Sequence, residues 1–290
     1  MIYINSKMLV IKSVSELLTY VETGKQKGLQ SGLVPTMGAL HQGHLSLVKR
    51  SCQDNDITIV SLFVNPTQFN NPEDLASYPR QEEEDIKLLA KEGVDVVFSP
   101  AESEIYPDDS HLHQEFNLGK VAEVMEGIHR PGHFQGVAQI VYRLFQICRP
   151  TRAYFGMKDF QQIAVIRQLI QNHGVDVEIV PCPIVREESG LALSSRNQLL
   201  SEDARREAAN IHKVLAKSVE LAKELSVEET RNMVITTLNK MPEFKVEYYE
   251  IVDGETLIPI EEWNEAAYIM GCITVYVGQV RLIDNIQYKP

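Results

Sequence analysis

The chain has 290 residues, of which 44% are hydrophobic and 23% charged; at roughly 150 residues per domain this predicts about two globular domains and excludes disorder as the main state. Its 28 Lys and Arg stand against 40 Asp and Glu, a formal net charge of -12, the wrong sign for wrapping nucleic acid or an anionic membrane surface. A polyanionic ligand would have to be met by positive charge concentrated locally.

No apolar run approaches the ~18 residues of a membrane helix. Met1 to Ile11 lacks the long apolar stretch of a signal peptide, so a cytoplasmic protein with no membrane partner is expected. Cys52, Cys148, Cys182 and Cys272 form no Cys-x-x-Cys pair and read as buried free thiols, not as a zinc or redox site.

In chain order, Ser13-Val-Ser-Glu16 has capping-box spacing and starts a helix running toward Gly28. The apolar run Gly32 to Thr36 leads into a glycine-containing turn, Met37 to His44, and then the helical pattern Leu45, Leu47, Val48. Ile57 to Val64 is too continuously apolar for a one-sided sheet and predicts a central parallel strand that ends at Asn65-Pro66. A polar loop to Pro79 precedes a charged helix over Arg80 to Glu92, stopped by Gly93, and a buried strand over Val94 to Phe98. Residues 100 to 120 read mostly as loop, His133 to Cys148 and Asp159 to His173 as helices, Ala153 to Met157 and Val175 to Val185 as strands.

This alternation predicts an α/β fold, a Rossmann-like doubly wound parallel sheet with right-handed crossovers, which binds ligands beyond the carboxyl ends of its strands. After Arg186 the pattern changes to a long amphipathic helix over Ser201 to Leu225, a second over Val227 to Met241, and strands over Lys245 to Val252, Ala267 to Val277 and Val280 to Ile286. We expect a catalytic domain over 1–185 and a smaller α+β lid domain over 186–290.

Gly38 and Gly43 have the spacing of a P-loop, but His44-Leu45 stand where that loop needs Lys-Ser/Thr. His41-x-Gly43-His44 is a different phosphate device: two imidazoles at a strand-to-helix turn, with a glycine that lets backbone approach and a helix amino terminus facing the anion. Gln68 follows a buried strand and offers a neutral amide, which can bind a carboxylate or hydroxyl without neutralising a nucleophile; Gln162, one turn into a later helix, does the same. Gly156-Met157-Lys158-Asp159 opens that helix with backbone amides and a mobile cation. Leu193-Ser194-Ser195-Arg196 forms a second phosphate grip of two hydroxyls and a guanidinium. Glu82-Glu83-Glu84-Asp85 reads as the solvated start of a helix, where carboxylates suit the dipole; a magnesium site there is the alternative, with no ligand singled out. His111 and His113 read as surface loop residues, His133 beside Arg130 and Gly132 as an active-site wall or lid, and Trp263 as core of the second domain.

Met37-Gly38-Ala39-Leu40-His41-Gln42-Gly43-His44 resembles the HxGH motif of the nucleotidylyltransferase superfamily. Together with Pro35-Thr36, Phe63 to Phe69, Tyr78-Pro79-Arg80, Arg130 to Phe134, Phe155 to Gln162 and Leu193 to Asn197, it resembles the pantothenate synthetase family over nearly the whole chain. The resemblance implies condensation of pantoate with β-alanine, using ATP with Mg2+, through a pantoyl-adenylate. It implies His44 as proton donor, ATP contacts from Met37 to His44, Gly156 to Asp159, Val185 and Leu193 to Arg196, pantoate contacts from Gln68 and Gln162, a β-alanine contact from Gln68, and a homodimer. His41, His44, Lys158 and Arg196 would surround the triphosphate. A simple nucleotidylyltransferase, a tRNA synthetase fragment and a nucleotide sensor are the competing readings; net charge disfavours the second.

Overall fold

A computed structural model describes residues 2–3, 8–69, 72–108 and 114–289, so His111 and His113 lie outside the described residues. In chain order the first unit comprises β1 (Ile2–Tyr3), β2 (Leu9–Ile11), α1 (Val14–Gln26), β3 (Ser31–Thr36), α2 (Gln42–Asp54), β4 (Ile57–Leu62), α3 (Pro72–Ser77), α4 (Glu82–Leu89), β5 (Val96–Phe98) and α5 (Glu102–Ile105). It continues through α6 (Glu126–His129), α7 (His133–Cys148), β6 (Arg152–Gly156), α8 (Phe160–His173) and β7 (Glu178–Cys182). The strands order β1-β2-β5-β4-β3-β6-β7. All neighbours are parallel except β1 against β2. From β3 the chain winds outward through β4 to β5, and from β6 the other way to β7, so the strand order reverses between β3 and β6, where doubly wound sheets bind ligands.

Both faces of this sheet are covered, and the side-chain period of two sorts its residues. Leu33, Ile59, Val96 and Phe98 pack with α1, α7 and α8 in one core. Val34, Val60 and Val97 pack with Leu45 and Val48 of α2 and Ile86 and Leu89 of α4 in the other. Burial on both faces explains the unbroken apolar runs. Ser13 caps α1 by accepting from the Glu16 amide at 3.3 Å. The expected doubly wound fold is present; β2 is an addition, since three residues carry too little periodicity to read.

The second unit holds α9 (Glu202–Ala208), α10 (Asn210–Leu221), α11 (Val227–Asn239) and the strands β8 (Phe244–Asp253), β9 (Ile269–Val277) and β10 (Val280–Lys289), which form an antiparallel sheet of order β10-β9-β8. The single helix expected over Ser201 to Leu225 is instead α9 and α10, separated at Ala209, with its end at Leu221. The buried face runs on across the break through Ala208, Ala209 and Ile211, so the amphipathic pattern persisted where the hydrogen-bond ladder slipped. Trp263 packs partly buried against this core and donates its indole N–H to the Leu225 carbonyl at 2.9 Å. All four cysteines are free thiols. Among the described residues no helix is long and apolar enough to cross a membrane.

Candidate active site

The carboxyl ends of β3, β4 and β6 open onto a cleft of about 220 Å³. After β3 the backbone turns through Gly38 (φ 79°) and Ala39 (φ 50°), two left-handed residues in succession. The turn is held from below: the amides of Ala39 and Leu40 each donate to the carboxylate of Asp85 at 2.8 Å. Asp85 is 1% exposed. The acidic run at the start of α4 is therefore not uniformly solvated, a correction to its sequence reading; its fourth member turns inward and braces the turn after β3. Burial pushes the Asp85 carboxyl up, against the two amides that stabilise its charge.

His41 caps α2 by accepting the Gly43 amide on Nδ1 at 3.1 Å, and His44 Nδ1 accepts the His41 amide at 3.4 Å, a capping box built from two imidazoles. The rings stack with centroids 4.0 Å apart. A β-carbon on Gly43 would lie 2.8 Å from the His41 ring, so glycine is what allows the cap. Because both Nδ1 atoms accept, each neutral ring carries its proton on Nε2. Burial, then the Lys158 charge, lowers His41 to about 4; burial, His41 and Lys158 lower His44 to about 3. At neutral pH the pair is uncharged.

Beyond β4, Asn65 is 1% exposed and anchors the following turn. Its amide donates to the Gly136 carbonyl at 3.0 Å and to Gln68 Oε1 at 3.4 Å, while Tyr106 donates to its Oδ1 at 2.7 Å. A β-carbon on Gly136 would meet the Thr67 carbonyl oxygen at 2.2 Å, so glycine in α7 lets the Gln68 turn lie against the helix. Gln68 donates to the Met37 sulfur at 2.8 Å, which links it to the turn after β3. Gln162 also lines the cleft. Its neighbour Gln161 turns away, donating to the carbonyls of Val121 and Val124 at 2.8 and 2.7 Å.

After β6, Gly156, Lys158 and Asp159 line the cleft. Lys158 Nζ lies 3.4 Å from Asp159. The turn that carries them is clamped from the second sheet by Asn285 of β10, whose amide donates to the carbonyls of Met157 and Lys158 at 2.8 and 3.0 Å. Val185, Leu193, Ser194, Ser195 and Arg196 close the opposite wall. Ser195 donates to the Ala39 carbonyl at 3.2 Å, and Arg196 pairs with Asp74 of α3 at 3.0 Å.

Of the expected nucleotide contacts, Met37, His41, Gly43, His44, Gly156, Lys158, Asp159, Val185 and the Leu193–Arg196 run meet in this cleft, together with Gln68 and Gln162. Gly38, Ala39, Leu40, Gln42 and Met157 do not line it. Ala39 and Leu40 are buried, and their amides donate to Asp85, so both support the turn. Sequence reasoning missed Asp85, Asn65 and Asn285. Only Asn65, beside the proline that stops β4, carried a local signal.

A doubly wound sheet that presents an HxGH turn, a helix amino terminus and a lysine at its strand-order reversal defines an α/β nucleotide-binding enzyme of the nucleotidylyltransferase type. Residues 9–287 match the family model described as pantoate-beta-alanine ligase. The chain is 50% identical over 282 residues to a pantothenate synthetase of Bacteroides fragilis, covering 97% of this chain and 99% of that one. It is 52% identical over 283 residues to a pantothenate synthetase of Phocaeicola vulgatus, covering 97% and 100%. A pantothenate synthetase structure from Thermus thermophilus superposes with a TM-score of 0.90 at 42% identity, covering 98% of this chain and 100% of that one. The Francisella tularensis pantoate-beta-alanine ligase complexed with beta-gamma ATP and beta-alanine gives 0.80 at 38%, covering 97% and 98%. The chain belongs to the pantoate–β-alanine ligase family.

Proposed function

We propose that the chain joins (R)-pantoate to β-alanine, forming pantothenate through a bound pantoyl-adenylate with release of pyrophosphate and AMP. The observation that carries this reading is the meeting of two neutral imidazoles, Lys158 and the uncharged amides Gln68 and Gln162 in one cleft. In the first step a pantoate carboxylate oxygen attacks the α-phosphorus, and the bond to the bridging oxygen breaks with its electron pair leaving on pyrophosphate. The carboxylate is already ionised at neutral pH, so no base is needed and stabilisation of phosphate charge governs the rate. His41 and His44 offer Nε2–H, Lys158 and Arg196 offer charge, and the α2 amino terminus faces the same anion. His44 fits the proton-donor role by presenting Nε2–H; a triphosphate beside it raises its proton affinity, against the burial that lowers it.

In the second step the β-alanine amine attacks the acyl carbonyl, AMP departs with the bonding pair, and the amine gives up a proton. Gln68 and Gln162 hold the pantoyl group without competing for its carboxylate, and Gln68 also meets the amine. Alignment of the two substrates carries this step, with no covalent enzyme intermediate.

Magnesium fits as the chelate of the triphosphate and not as a protein-held ion. Among the described residues no group of three His, Cys, Asp or Glu could hold a metal, and Asp159 is the carboxylate of the cleft wall that would meet it. Bound there, it would neutralise leaving-group charge. We assign 1–185 to catalysis and 186–290 to a lid, a division supported by the end of one sheet at Cys182 and the start of the other at Phe244. Family resemblance supports a cytoplasmic homodimer.

The test is pantoate-dependent exchange of labelled pyrophosphate into ATP, followed by amide and AMP formation on adding β-alanine. A product that retains the nucleotide, or no pantoate-dependent exchange, would overturn the reading.

A further inference from the structure

Beside the main cleft lies a second cavity of about 70 Å³. The two share Lys158, Asp159, Gln162, Ser194 and Arg196 as lining. The second cavity is also lined by Arg130, at the end of α6, and by Glu126 and Arg281.

The two arginines differ in how their hydrogen bonds are met. Arg281 donates to Glu126 at 2.8 and 2.7 Å and to Glu247 at 3.0 and 2.5 Å. Glu126 takes two more hydrogen bonds, from Tyr248 at 2.8 Å and Thr274 at 2.9 Å. Three of these four donors go to Oε1 and one to Oε2; Arg130 Nη1 stands 3.6 Å from Oε2, close enough to pair charge but beyond hydrogen-bond reach. One of the five N–H groups of Arg130 is used, by His133 Nε2 at 3.1 Å. The others have no hydrogen-bond partner among the described residues, although the side chain is only 16% exposed and its charge is paired loosely with Glu126. Burial, and the like charges of Arg196 and Arg281, pull its proton affinity down, with Glu126 opposing. This is a desolvated guanidinium fork facing a cavity, the arrangement that takes a carboxylate bidentately.

The substrates decide which carboxylate. Pantoate consumes its carboxylate in forming the adenylate, and the phosphates have Lys158, Arg196 and the α2 amino terminus in the first cleft. β-Alanine alone keeps a free carboxylate through the second step, about 4 to 5 Å from its amine in an extended chain. Gln162 borders both cavities, so an amine aimed at the acyl carbonyl beside it would leave the carboxylate on the Arg130 side. Since Nε2 of His133 accepts from Arg130, Nδ1 carries the proton and donates to the Gln68 carbonyl at 2.8 Å. The guanidinium is thereby fixed relative to the amide that holds the other substrate.

Resting on the ligase reading above, we propose that Arg130 binds the carboxylate of β-alanine and thereby sets the enzyme's preference for an amino acid over a simple amine. The test compares Arg130→Met and Arg130→Lys with the unaltered enzyme in both half-reactions. Pantoate-dependent pyrophosphate exchange, which needs no β-alanine, should stay within about twofold. The KM for β-alanine should rise on the order of 10²-fold in Arg130→Met, and the preference for β-alanine over n-propylamine should collapse by a similar factor. Arg130→Lys should recover part of both. Loss of exchange in step with ligation would place Arg130 on the triphosphate and overturn the proposal, as would an unchanged KM and preference. In the unaltered enzyme, propionate should compete with β-alanine and not with ATP, whereas n-propylamine should compete weakly. The reverse order would overturn the proposal without any variant, while absence of exchange in the unaltered enzyme would instead sink the ligase reading.

Discussion

Asp85→Asn removes one charge and one acceptor from beneath the turn after β3 while keeping the side chain's shape. Asp85 is 1% exposed and takes the amides of Ala39 and Leu40 at 2.8 Å each. Asparagine has one carbonyl oxygen, so one amide keeps an acceptor, now neutral, at a loss of roughly 1 kcal/mol. The other amide faces an NH2 group and is left buried and unsatisfied, at roughly 1–3 kcal/mol. The sum is about 2–4 kcal/mol. The same bonds hold Ala39 at φ 50°, a conformation that costs an L-residue roughly 1–2 kcal/mol and relaxes once its support is gone. Relaxation moves His41 and His44, since the capping box begins two residues later, at His41. The expected result is a fall in the urea midpoint equivalent to about 2–4 kcal/mol, with a KM for ATP raised at least about tenfold and a smaller change for β-alanine. A variant within about 0.5 kcal/mol of the parent, with ATP kinetics unchanged, would refute the brace.

His44→Ala should lower turnover by about 10²- to 10⁴-fold with the fold retained, and Lys158→Ala should cost a comparable factor in single-turnover adenylate formation; near-normal rates would remove those roles. Gly156 has ordinary backbone angles, φ -75° and ψ 132°, and nothing within 4 Å of where a β-carbon would stand. Gly156→Ala should therefore leave the unfolding midpoint unchanged while weakening ATP binding, measured calorimetrically, by about tenfold or more; equal affinity would show that no ligand occupies the space. His41, His44 and His133 have folded values of about 4, 3 and 4 against 6.5 when free. The unfolded chain thus binds more protons between those values, so their contribution to stability is complete above about pH 6.5 and is lost as pH falls toward 4, by roughly 1–2 kcal/mol per ring between pH 7 and 5. Chemical denaturation at the two pH values checks this, and equal stabilities would contradict the burial of the rings.

The alternating fold was legible because strands covered on both faces leave unbroken apolar runs, and Ile57 to Val64 is such a run. The HxGH turn was legible because every member of the device lies within eight residues. Asp85 was not: at the start of a helix a carboxylate usually faces water, and only the docking of α4 beneath a turn 46 residues earlier in the chain makes it a brace. The pairing of Glu126 with Arg281 spans 155 residues, and Asn285 reaches Lys158 across 127. No local pattern encodes such pairs, because each partner alone reads as an ordinary surface residue. Gln161 and Gln162 make the same point at short range. Identical residues one step apart differ by about 100° of helix phase, and the tertiary contacts of α8 decide which one lines the main cleft.

The excess of acid over base looked unsuited to a triphosphate, and the ion pairs show how the two coexist. Arg196 is held by Asp74 at 3.0 Å, with both side chains about one third exposed. A pair in that setting contributes about 0–1 kcal/mol, so exchanging the carboxylate for a phosphate costs little. Lys158 keeps a still looser partner in Asp159 at 3.4 Å. Arg281 is held in a largely buried network by both Glu126 and Glu247, where removing the two carboxylates together would strand a desolvated charge. Arg186 is likewise tied to the buried Asp284 at 2.7 Å, next to Asn285. The cations thus divide by how tightly they are paired, since Lys158 is no more exposed than Arg281 or Arg186. Those at the cleft wall keep partners they can release to a ligand, and those beneath it keep partners that fix the second sheet against the Lys158 turn. An acidic surface then costs the cleft little on the proposed ligase reading, because the positive charge of Lys158 and Arg196 is stored in weak pairs that a stronger anion could displace.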